Sequence, residues 1–303
     1  MAQSDIAPHQ IRSVGPRRFL LGLRCHIALA LLGRGATART RLAELLRRNS
    51  RYKGPIVQLN SRTLVACGDH YMWVANQDEG VGRGLLKRGA WQRDDFETAL
   101  RLITEHRGGV GGAFVDVGAN IGTHCVYAAL SGRFDRLVAI EPEPRNAAMM
   151  RDNFSLNDLT IDFDIVQKAV GDGTRTACLR LHAADSGMHS VVDGPGEQTI
   201  DVELDTLPNI LGGLGVKPEE TGFIWMDVEG HEFEVFKSME SLLPKRIPIF
   251  FEYSRRAADE RHEWAKKFAS LGYSCWHMTH GGRAHKTDLD EALGIEFGNL
   301  LLL

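Results

Sequence analysis

One segment constrains the fold of this chain more than any other: a short apolar strand followed at once by a glycine turn. Residues 114–123 read FVDVGANIGT, with the acid Asp116 inside the apolar run. Gly118 and Gly122 frame a tight turn that leads into a helix. The free N–H groups at the start of such a helix favour a ligand there. The segment therefore predicts the first strand, turn and helix of a ligand-binding α/β domain.

A second apolar run ends in an acid about 20 residues further along, which is the spacing of a nucleoside-binding strand pair. Residues 137–140 read LVAI, and Glu141 follows directly. An acid at the end of this second strand can accept hydrogen bonds from the hydroxyls of a ribose. The turn and the acid together predict a pocket for a nucleoside-containing cofactor. The alternative is an ordinary strand, turn and helix of an α/β domain, with Glu141 solvated.

The turn also indicates which cofactor to expect. A dinucleotide-binding turn reads G-x-G-x-x-G, and its middle glycine lets the backbone approach a pyrophosphate. Asn120 stands at that middle position, which argues against NAD and FAD. S-adenosylmethionine (SAM) has no phosphate and needs only the turn and the ribose acid. Because Asp116 also suits the positive amino group of the methionine part, the sequence predicts SAM.

Three further segments follow FVDVGANIG and IEPEP in a recognisable order. They are QKAVGD (167–172), VELDTL (202–207) and IWMDVEGHEFEVF (224–236). With these segments in this order, the chain resembles the FkbM family of SAM-dependent methyltransferases, and the resemblance runs from about residue 55 to the C terminus. The resemblance implies the class I SAM-dependent methyltransferase (Rossmann-like) fold and, most often, methylation of a hydroxyl oxygen. It leaves the acceptor open, and we expect a small molecule such as a sugar or secondary metabolite, with glycans and glycolipids included.

The apolar pattern divides the chain into three parts. We expect a basic, partly helical segment at 1–54, a strand and helix elaboration at 55–108, and a cofactor domain at 109–303. Alternating strands and helices in the last part predict a mostly parallel, doubly wound sheet. Its expected strands are 113–117, 136–140, 161–167, 223–227, 247–253, 273–277 and 296–302, with extra strands at 176–181 and 198–204. Its expected helices are 121–131, 144–156, 231–239 and 258–271. In the elaboration we expect strands at 56–59, 63–67 and 71–74 and a helix at 94–106.

The first 53 residues differ in charge from the remainder. They carry a net charge of +9 in a chain whose total is −3. Leucine and isoleucine recur there at helical spacing between Leu20 and Leu31. This helix either packs on the main domain or lies on an anionic membrane surface, to which basic side chains are attracted. The widely separated cysteines fit a reducing compartment. We therefore expect a cytoplasmic protein, and the basic segment would add weak peripheral membrane contact if it lies on such a surface.

Candidate catalytic residues follow from the needs of methyl transfer. The acceptor oxygen must be held in line with the methyl group, and a hydroxyl also needs a base. Asp227 ends the apolar run 223–226 at the carboxyl edge of the sheet, where ligands bind in such folds. We expect Asp227, Glu229, His231 and His124 to take part in catalysis. The alternatives are a helix-terminal acid for Glu229, a surface position for His231 and a packing role for His124.

The third strand adds two cofactor candidates. Gln167 and Lys168 follow it, where the adenine ring is expected, and a solvated strand end is the alternative. The predicted cofactor-binding residues are Asp116, Gly118, Asn120, Gly122, Thr123, Glu141, Gln167, Lys168 and Asp227.

Substrate contacts are expected from a loop and from one more strand end. Residues 186–190 (SGMHS) correspond to a loop near the substrate in the family that the chain resembles, which makes His189 and Ser190 candidates. Glu252 follows an apolar run and should be paired or face the pocket. Asp227, Glu229 and Glu252 could also supply oxygen ligands to magnesium. Because no spacing demands a metal, we assign no metal ligands, and the need for a divalent metal stays open.

Composition excludes several other classes of protein. The five cysteines are widely separated and form no C-x-x-C pair, which argues against a disulfide framework and a zinc site. The acidic body argues against a nucleic-acid groove. Two functional alternatives stay open: a non-catalytic nucleoside-binding protein of the same fold, and an NAD-dependent oxidoreductase. The oligomeric state cannot be read from the sequence.

Overall fold

The structure is a computed structural model that describes residues 53–59, 61–254, 261–279, 281–295 and 297–303. These residues fall into two compact units. The smaller unit contains residues up to 91 together with 149–159 and 184–186, and the larger contains the rest. The boundaries expected at residues 54 and 108 stay predictions. The leucine pattern of the basic N-terminal segment lies outside the described residues.

The smaller unit is built on a three-stranded antiparallel sheet. Its strands are β1 (Lys53–Gln58), β2 (Arg62–Cys67) and β3 (Tyr71–Ala75), paired in the order β1-β2-β3. The three short strands expected from the sequence are therefore present. Helix α1 (Val81–Arg88) follows and was not expected. Two glycines in its interior weaken the helical pattern, and Gly84 is required because an added Cβ would lie 2.4 Å from the ring of Trp91.

The larger unit alternates strands and helices along the chain. Its elements are α2 (Arg93–Arg107), β4 (Ala113–Val117), α3 (Thr123–Ser131), β5 (Arg136–Ile140), α4 (Pro144–Leu156, which ends in the smaller unit), β6 (Asp162–Val166), β7 (Ala169–Val170), β8 (Arg175–Arg180), β9 (Ser190–Val192), β10 (Thr199–Asp205), α5 (Leu207–Gly213), β11 (Thr221–Met226), α6 (Glu232–Ser238), β12 (Ile249–Ser254), α7 (Arg261–Ser270), β13 (Cys275–Thr279), β14 (Arg283–Thr287), α8 (Leu289–Ala292) and β15 (Phe297–Leu302).

Eight of these strands form the main sheet, in the order β14-β13-β15-β12-β11-β4-β5-β6. The five strands from β12 to β6 run parallel to one another. Strands β15, β13 and β14 add antiparallel pairs at the other side. The expected mostly parallel sheet is confirmed. The chain passes outward from β4 through β5 to β6 and later adds β11 and β12 on the other side of β4. The strand order therefore reverses beside β4, where such sheets bind ligands.

Both faces of the main sheet are covered by helices, as a doubly wound fold requires. Val115 and Val117 of β4 belong to a core that includes Phe236 of α6 and Phe268 of α7. On the opposite face, Phe114 of the same strand meets Phe96 of α2, with ring centroids 5.7 Å apart. The alternation along β4 therefore buries both sets of side chains, and Asp116 shares the second face with Phe114.

A smaller four-stranded sheet has the order β7-β10-β8-β9. Its longer strands, β8 and β10, confirm the two extra strands expected from the sequence. Strands β7 and β9 have two and three residues, too few to show alternation. Helix α5 was also missed, although Thr206 caps it by accepting a hydrogen bond from the Asn209 N–H and Pro208 stands in its first turn. In the sequence, those two residues indicate the start of a helix.

Several expected boundaries shift by a few residues. Helix α3 begins at Thr123 instead of residue 121, because Gly122 has a φ of 84° and cannot belong to the helix. The strand expected at 273–277 is β13, two residues later. Strand β14 was not expected, because its RAHKT sequence lacks an apolar face. Residues 258–260 of the expected helix 258–271 and Glu296 of the last expected strand lie outside the described residues.

No helix in the described part of the chain combines the length and apolar character needed to cross a membrane.

The stack of Trp225 on Phe250 generates the first prediction. Both side chains are fully buried in neighbouring strands, with ring centroids 3.6 Å apart. Phe250→Ala should lower the free energy of unfolding by about 3–5 kcal/mol, because it removes the stack and leaves a cavity. Urea denaturation measures this loss. Phe297→Ala is the matched control, since Phe297 of β15 is 60% exposed and should cost less than about 0.5 kcal/mol. Equal losses would contradict the assigned core.

Candidate active site

The glycine turn after β4 is fixed by backbone contacts to both neighbouring strands. The N–H groups of Gly118 and Ala119 both donate to the carbonyl oxygen of Ile140, each at 3.0 Å. Gly118 has a φ of 83°, and a Cβ added to it would lie 1.9 Å from the carbonyl oxygen of Asp227. Only glycine fits there. The turn thus brings the ends of β4, β5 and β11 together.

Glu141 is joined directly to this turn. The N–H of Asn120, which adopts a φ of 51°, donates to Glu141 Oε2 at 2.8 Å. Glu141 Oε1 accepts from the Glu143 N–H at 2.9 Å. Burial raises the pKa of Glu141 to about 7, although these backbone hydrogen bonds oppose the shift. The Asn146 side chain also donates to Glu141 and lowers its pKa. A carboxylate has about four acceptor positions, so the ionised side chain keeps acceptor capacity for a ligand after these three contacts.

Asp116 lies fully buried at the end of β4. Its Oδ2 accepts a hydrogen bond from Cys125 Sγ at 3.3 Å, and its Oδ1 has no hydrogen-bond partner among the described residues. Burial raises the pKa of Asp116 to about 7, the bond from Cys125 lowers it, and the charge of Glu141 raises it further. A buried carboxylate oxygen without a donor is costly. Asp116 is therefore suited to receive a cationic or hydrogen-bonding ligand group.

Three further carboxylates meet at the ends of β11 and β12. One oxygen from each of Asp227, Glu229 and Glu252 lies within 4.8 Å of the others. Burial raises the pKa of Asp227 well above its usual value, and the charges of Glu252 and Glu229 add to the shift. Burial, with Glu229 next, raises the pKa of Glu252 to about 7. Gln92 Nε2 donates to Glu252 Oε2 at 3.0 Å. We call these three residues the carboxylate cluster.

Glu232 is a fourth acid beside the carboxylate cluster, and sequence reasoning missed it. The side chain is 1% exposed, its Oε1 accepts from the Gly230 N–H at 2.9 Å, and its Oε2 has no partner among the described residues. Burial raises its pKa to about 7, opposed by backbone hydrogen bonds. An acid in the first turn of a helix usually complements the helix dipole at the surface. The run DVEGHE therefore gave no signal of its burial.

The structure surrounds His124 with aromatic rings. Its centroid lies 4.3 Å from that of Trp225 and 6.5 Å from that of Phe96. The side chain is buried, and burial lowers its pKa to about 3. The ring is therefore neutral at physiological pH. These contacts favour the packing alternative, while the catalytic role of His124 stays a prediction.

His231 precedes α6 and lines a cleft of about 750 Å³ between that helix and the small sheet. Its Nδ1 lies 3.8 Å from Glu234 Oε2, and its Nε2 is buried without a hydrogen-bond partner in the described part of the chain. Burial lowers the pKa of His231, opposed by the charge of Glu234. Arg175 and Arg180 of β8 line the same cleft. It therefore offers hydrogen-bond donors to a polar molecule.

Other predicted site residues have different surroundings. Lys168 Nζ lies 3.1 Å from Asp205 Oδ2, an ion pair with β10, and Gln167 is exposed. His189 Nδ1 accepts from the His182 N–H at 3.0 Å. Ser190 begins β9, and neither it nor His189 is among the residues that line the cleft. The cofactor role of the first pair and the substrate role of the second stay predictions.

The remaining turn residues shape the start of α3. The Gly122 N–H donates to the carbonyl oxygen of Ala119 at 2.8 Å. Thr123 is buried, and its Oγ1 has no hydrogen-bond partner among the described residues. The structure thus brings together the predicted turn residues, Glu141 and Asp227. It also brings Glu229 and Glu252 to Asp227.

The site and the sheet order agree with a family match. Residues 116–275 match the methyltransferase FkbM domain, which is more than half of the chain. The chain belongs to this family, whose class of activity is methyl transfer, and its fold is the class I SAM-dependent methyltransferase type. No curated protein matches the sequence.

Several solved structures are similar to the chain. The methyltransferase FkbM from Methylobacillus flagellatus KT is 16% identical, over 64% of this chain and 44% of that one, with a TM-score of 0.41. This chain thus spans less than half of that protein. A SAM-dependent methyltransferase from Agrobacterium tumefaciens is 7% identical, over 81% and 70%, with a TM-score of 0.42. TYW2 from M. jannaschii in complex with AdoMet is 11% identical, over 81% and 85%, with a TM-score of 0.38.

The contact between Gly118 and Asp227 generates the second prediction. Gly118→Ala adds a Cβ at 1.9 Å from a backbone oxygen, whereas a Cβ at Gly132 would have nothing within 4 Å. Both glycines have positive φ, 83° and 63°, which costs an alanine about 1–2 kcal/mol. Gly132→Ala should show only that loss in urea denaturation. Gly118→Ala should lose several-fold more, and identical midpoints for the two variants would contradict the close approach.

Proposed function

We propose that the protein is a SAM-dependent methyltransferase that methylates a hydroxyl oxygen on a small molecule such as a sugar or secondary metabolite. The observation that carries the proposal is the hydrogen bond from the Asn120 N–H to Glu141, which joins the glycine turn to the buried acid. Family membership supports methyl transfer. The choice of SAM and of an oxygen acceptor goes beyond that membership and rests on the residues below.

The residues present fit SAM. Glu141, held by two backbone N–H groups, would accept the ribose hydroxyls. Asp116 Oδ1, buried and without a partner among the described residues, would accept from the ammonium group of the methionine part. When bound, SAM supplies an activated methyl group. The turn from Gly118 to Gly122 orients the cofactor between these two acids.

The nicotinamide alternative fits less well. Asn120 occupies the place of the glycine that would let a pyrophosphate approach, and its side chain accepts from the Ile121 N–H at 2.7 Å. That bond holds the amide over the turn. A non-catalytic protein of the same fold would share the cofactor contacts. Measured methyl transfer would therefore distinguish an enzyme from that alternative.

The acceptor would bind beside the carboxylate cluster. Asp227 follows β11 next to the glycine turn. In its ionised form its carboxylate would take a proton from a hydroxyl. Gly230, three residues after Asp227 in the chain, lines the cleft together with His231. Polar donors from β8 in this cleft fit a hydroxylated acceptor. We therefore assign proton removal to Asp227 and acceptor orientation to the cleft.

Calorimetry with SAM, S-adenosylhomocysteine and NAD tests the cofactor assignment. The first two should bind and NAD should not. Glu141→Gln should weaken SAM binding by about 10- to 100-fold, because charged hydrogen bonds contribute roughly 1.5–3 kcal/mol. Glu219→Gln is the matched control, since that acid is exposed. Unchanged SAM affinity in Glu141→Gln would refute the ribose assignment.

The raised pKa of Glu141 generates a pH prediction. Ribose hydroxyls donate to the ionised carboxylate, and the pKa in the free protein is about 7. SAM affinity should therefore be high above pH 7 and fall as the pH drops through 7, by about tenfold between pH 8 and pH 6. Asp116, with a similar pKa, adds to this trend. Glu141→Gln should show a shallower dependence, and parallel curves for the two proteins would contradict the assignment.

Asp227→Asn tests the acceptor chemistry. The change keeps the shape of the side chain and removes its charge. With a hydroxylated acceptor, release of S-adenosylhomocysteine should fall by about 10²–10⁴-fold, the contribution of a general base, while SAM affinity stays within a few-fold. Carbon-13 NMR with labelled SAM identifies the methylated atom. Full activity of the variant, or a methyl group on nitrogen or carbon, would overturn this part of the proposal.

A further inference from the structure

We propose that the carboxylate cluster of Asp227, Glu229 and Glu252 binds one hard divalent cation at the ends of β11 and β12. The proposal that an ion binds here is independent of the proposed function. A role for the ion in catalysis rests on the proposed function.

The spacing of the oxygens fits a shared ion. One oxygen of each residue lies within 4.8 Å of the others. Two oxygens that share a calcium ion at about 2.3–2.6 Å can be up to about 5 Å apart, and magnesium at about 2.1 Å requires them to be within about 4.2 Å. The cluster can therefore hold the larger ion as it stands and the smaller one after slight closure. Carboxylate ligands alone select magnesium, calcium or manganese over softer metals.

A second observation points to a ligand at this place. Asp227 Oδ1 and Glu232 Oε2 are both buried without a hydrogen-bond partner among the described residues, and Glu232 is 1% exposed. The charge of Glu232 raises the pKa of Asp227, so the Glu232 side chain lies close enough to the cluster to interact with it electrostatically. A buried, unpartnered carboxylate oxygen is costly. A cation between the cluster residues would offset that cost, and Glu232 would add to the attraction without being a ligand.

The surrounding charges support a cation over a neutral ligand. Among the described residues, the charges that raise the pKa of Asp227 after burial are those of four other acids: Glu252, Glu229, Glu232 and Asp116. Gln92, which donates to Glu252 Oε2, is neutral and orients that carboxylate. Protons shared between the carboxylates are one rival way to neutralise the cluster. A divalent cation would replace these protons and leave all three groups ionised.

A cation here would also contribute to the proposed reaction. It would hold the acceptor hydroxyl and lower its pKa, and the proton would pass to the Asp227 oxygen that does not bind the ion. This arrangement gives Glu229 and Glu252 a defined task, which proton removal by Asp227 alone does not.

The test is a titration of the metal-stripped full chain with Mn²⁺, followed by electron paramagnetic resonance. We expect one bound ion that Mg²⁺ or Ca²⁺ displaces. Glu252→Gln and Glu229→Gln should each weaken binding at least tenfold, and the exposed control Glu219→Gln should bind as the wild type does. Mn²⁺ should raise the melting temperature of the wild type and the control but not of the two cluster variants.

The outcomes separate this inference from the proposed function. Absence of Mn²⁺ binding at millimolar concentration, or equal binding by wild type and both cluster variants, would overturn the cation site. SAM affinity measured in the same metal-free samples tests the function independently. Binding of Mn²⁺ without binding of SAM would support the cation site and refute the proposed cofactor. Circular dichroism confirms that the variants are folded, and glutamine should be tolerated because it removes like-charge repulsion.

Discussion

The carbonyl oxygen of Asp227 occupies the space where a side chain at Gly118 would begin, and the arrangement of the site depends on this approach. It lets β4 and β11 end side by side, with the Asp227 N–H donating to the carbonyl oxygen of Val117 at 2.9 Å. The same turn donates two N–H groups to Ile140, at the end of β5. Three strand ends thus converge, and each is followed by a functional candidate. A displaced turn would separate the predicted cofactor acids from the predicted base.

Burial of negative charge is the second constraint. Asp116, Glu141, Glu232 and Glu252 all have pKa values raised to about 7, with burial as the largest cause. Without a ligand, each group is neutralised by a proton or carries an unfavourable charge. Ligands with positive charge or hydrogen-bond donors relieve that cost, which links the stability of the folded chain to what it binds. The acids form two groups, one beside the glycine turn and the other at β11 and β12.

Aromatic packing supports the strands that carry the site residues. Trp225 lies between Phe250 and His124, with centroid distances of 3.6 Å and 4.3 Å. This packing holds β11 rigidly against β12 and α3. Rigid strands are good supports for site residues, because small displacements of reacting groups reduce the rate of a positioned reaction strongly. Asp227 and Glu252 extend from the two strands that carry this stack.

The sequence by itself determined the sheet, the turn and the first acid. These features follow a readable motif: the strand apolarity, the two glycines and an acid about 20 residues further along predict that Glu141 lies beside the turn. Only the tertiary structure decided how Glu252 joins Asp227 and Glu229, because the parallel pairing of β11 and β12 brings them together and no motif in the sequence marks that pairing. It also decided that Glu232 is buried and that Lys168 pairs with Asp205. Burial and pairing of a charged side chain depend on which elements cover it, and a one-dimensional pattern does not contain that information.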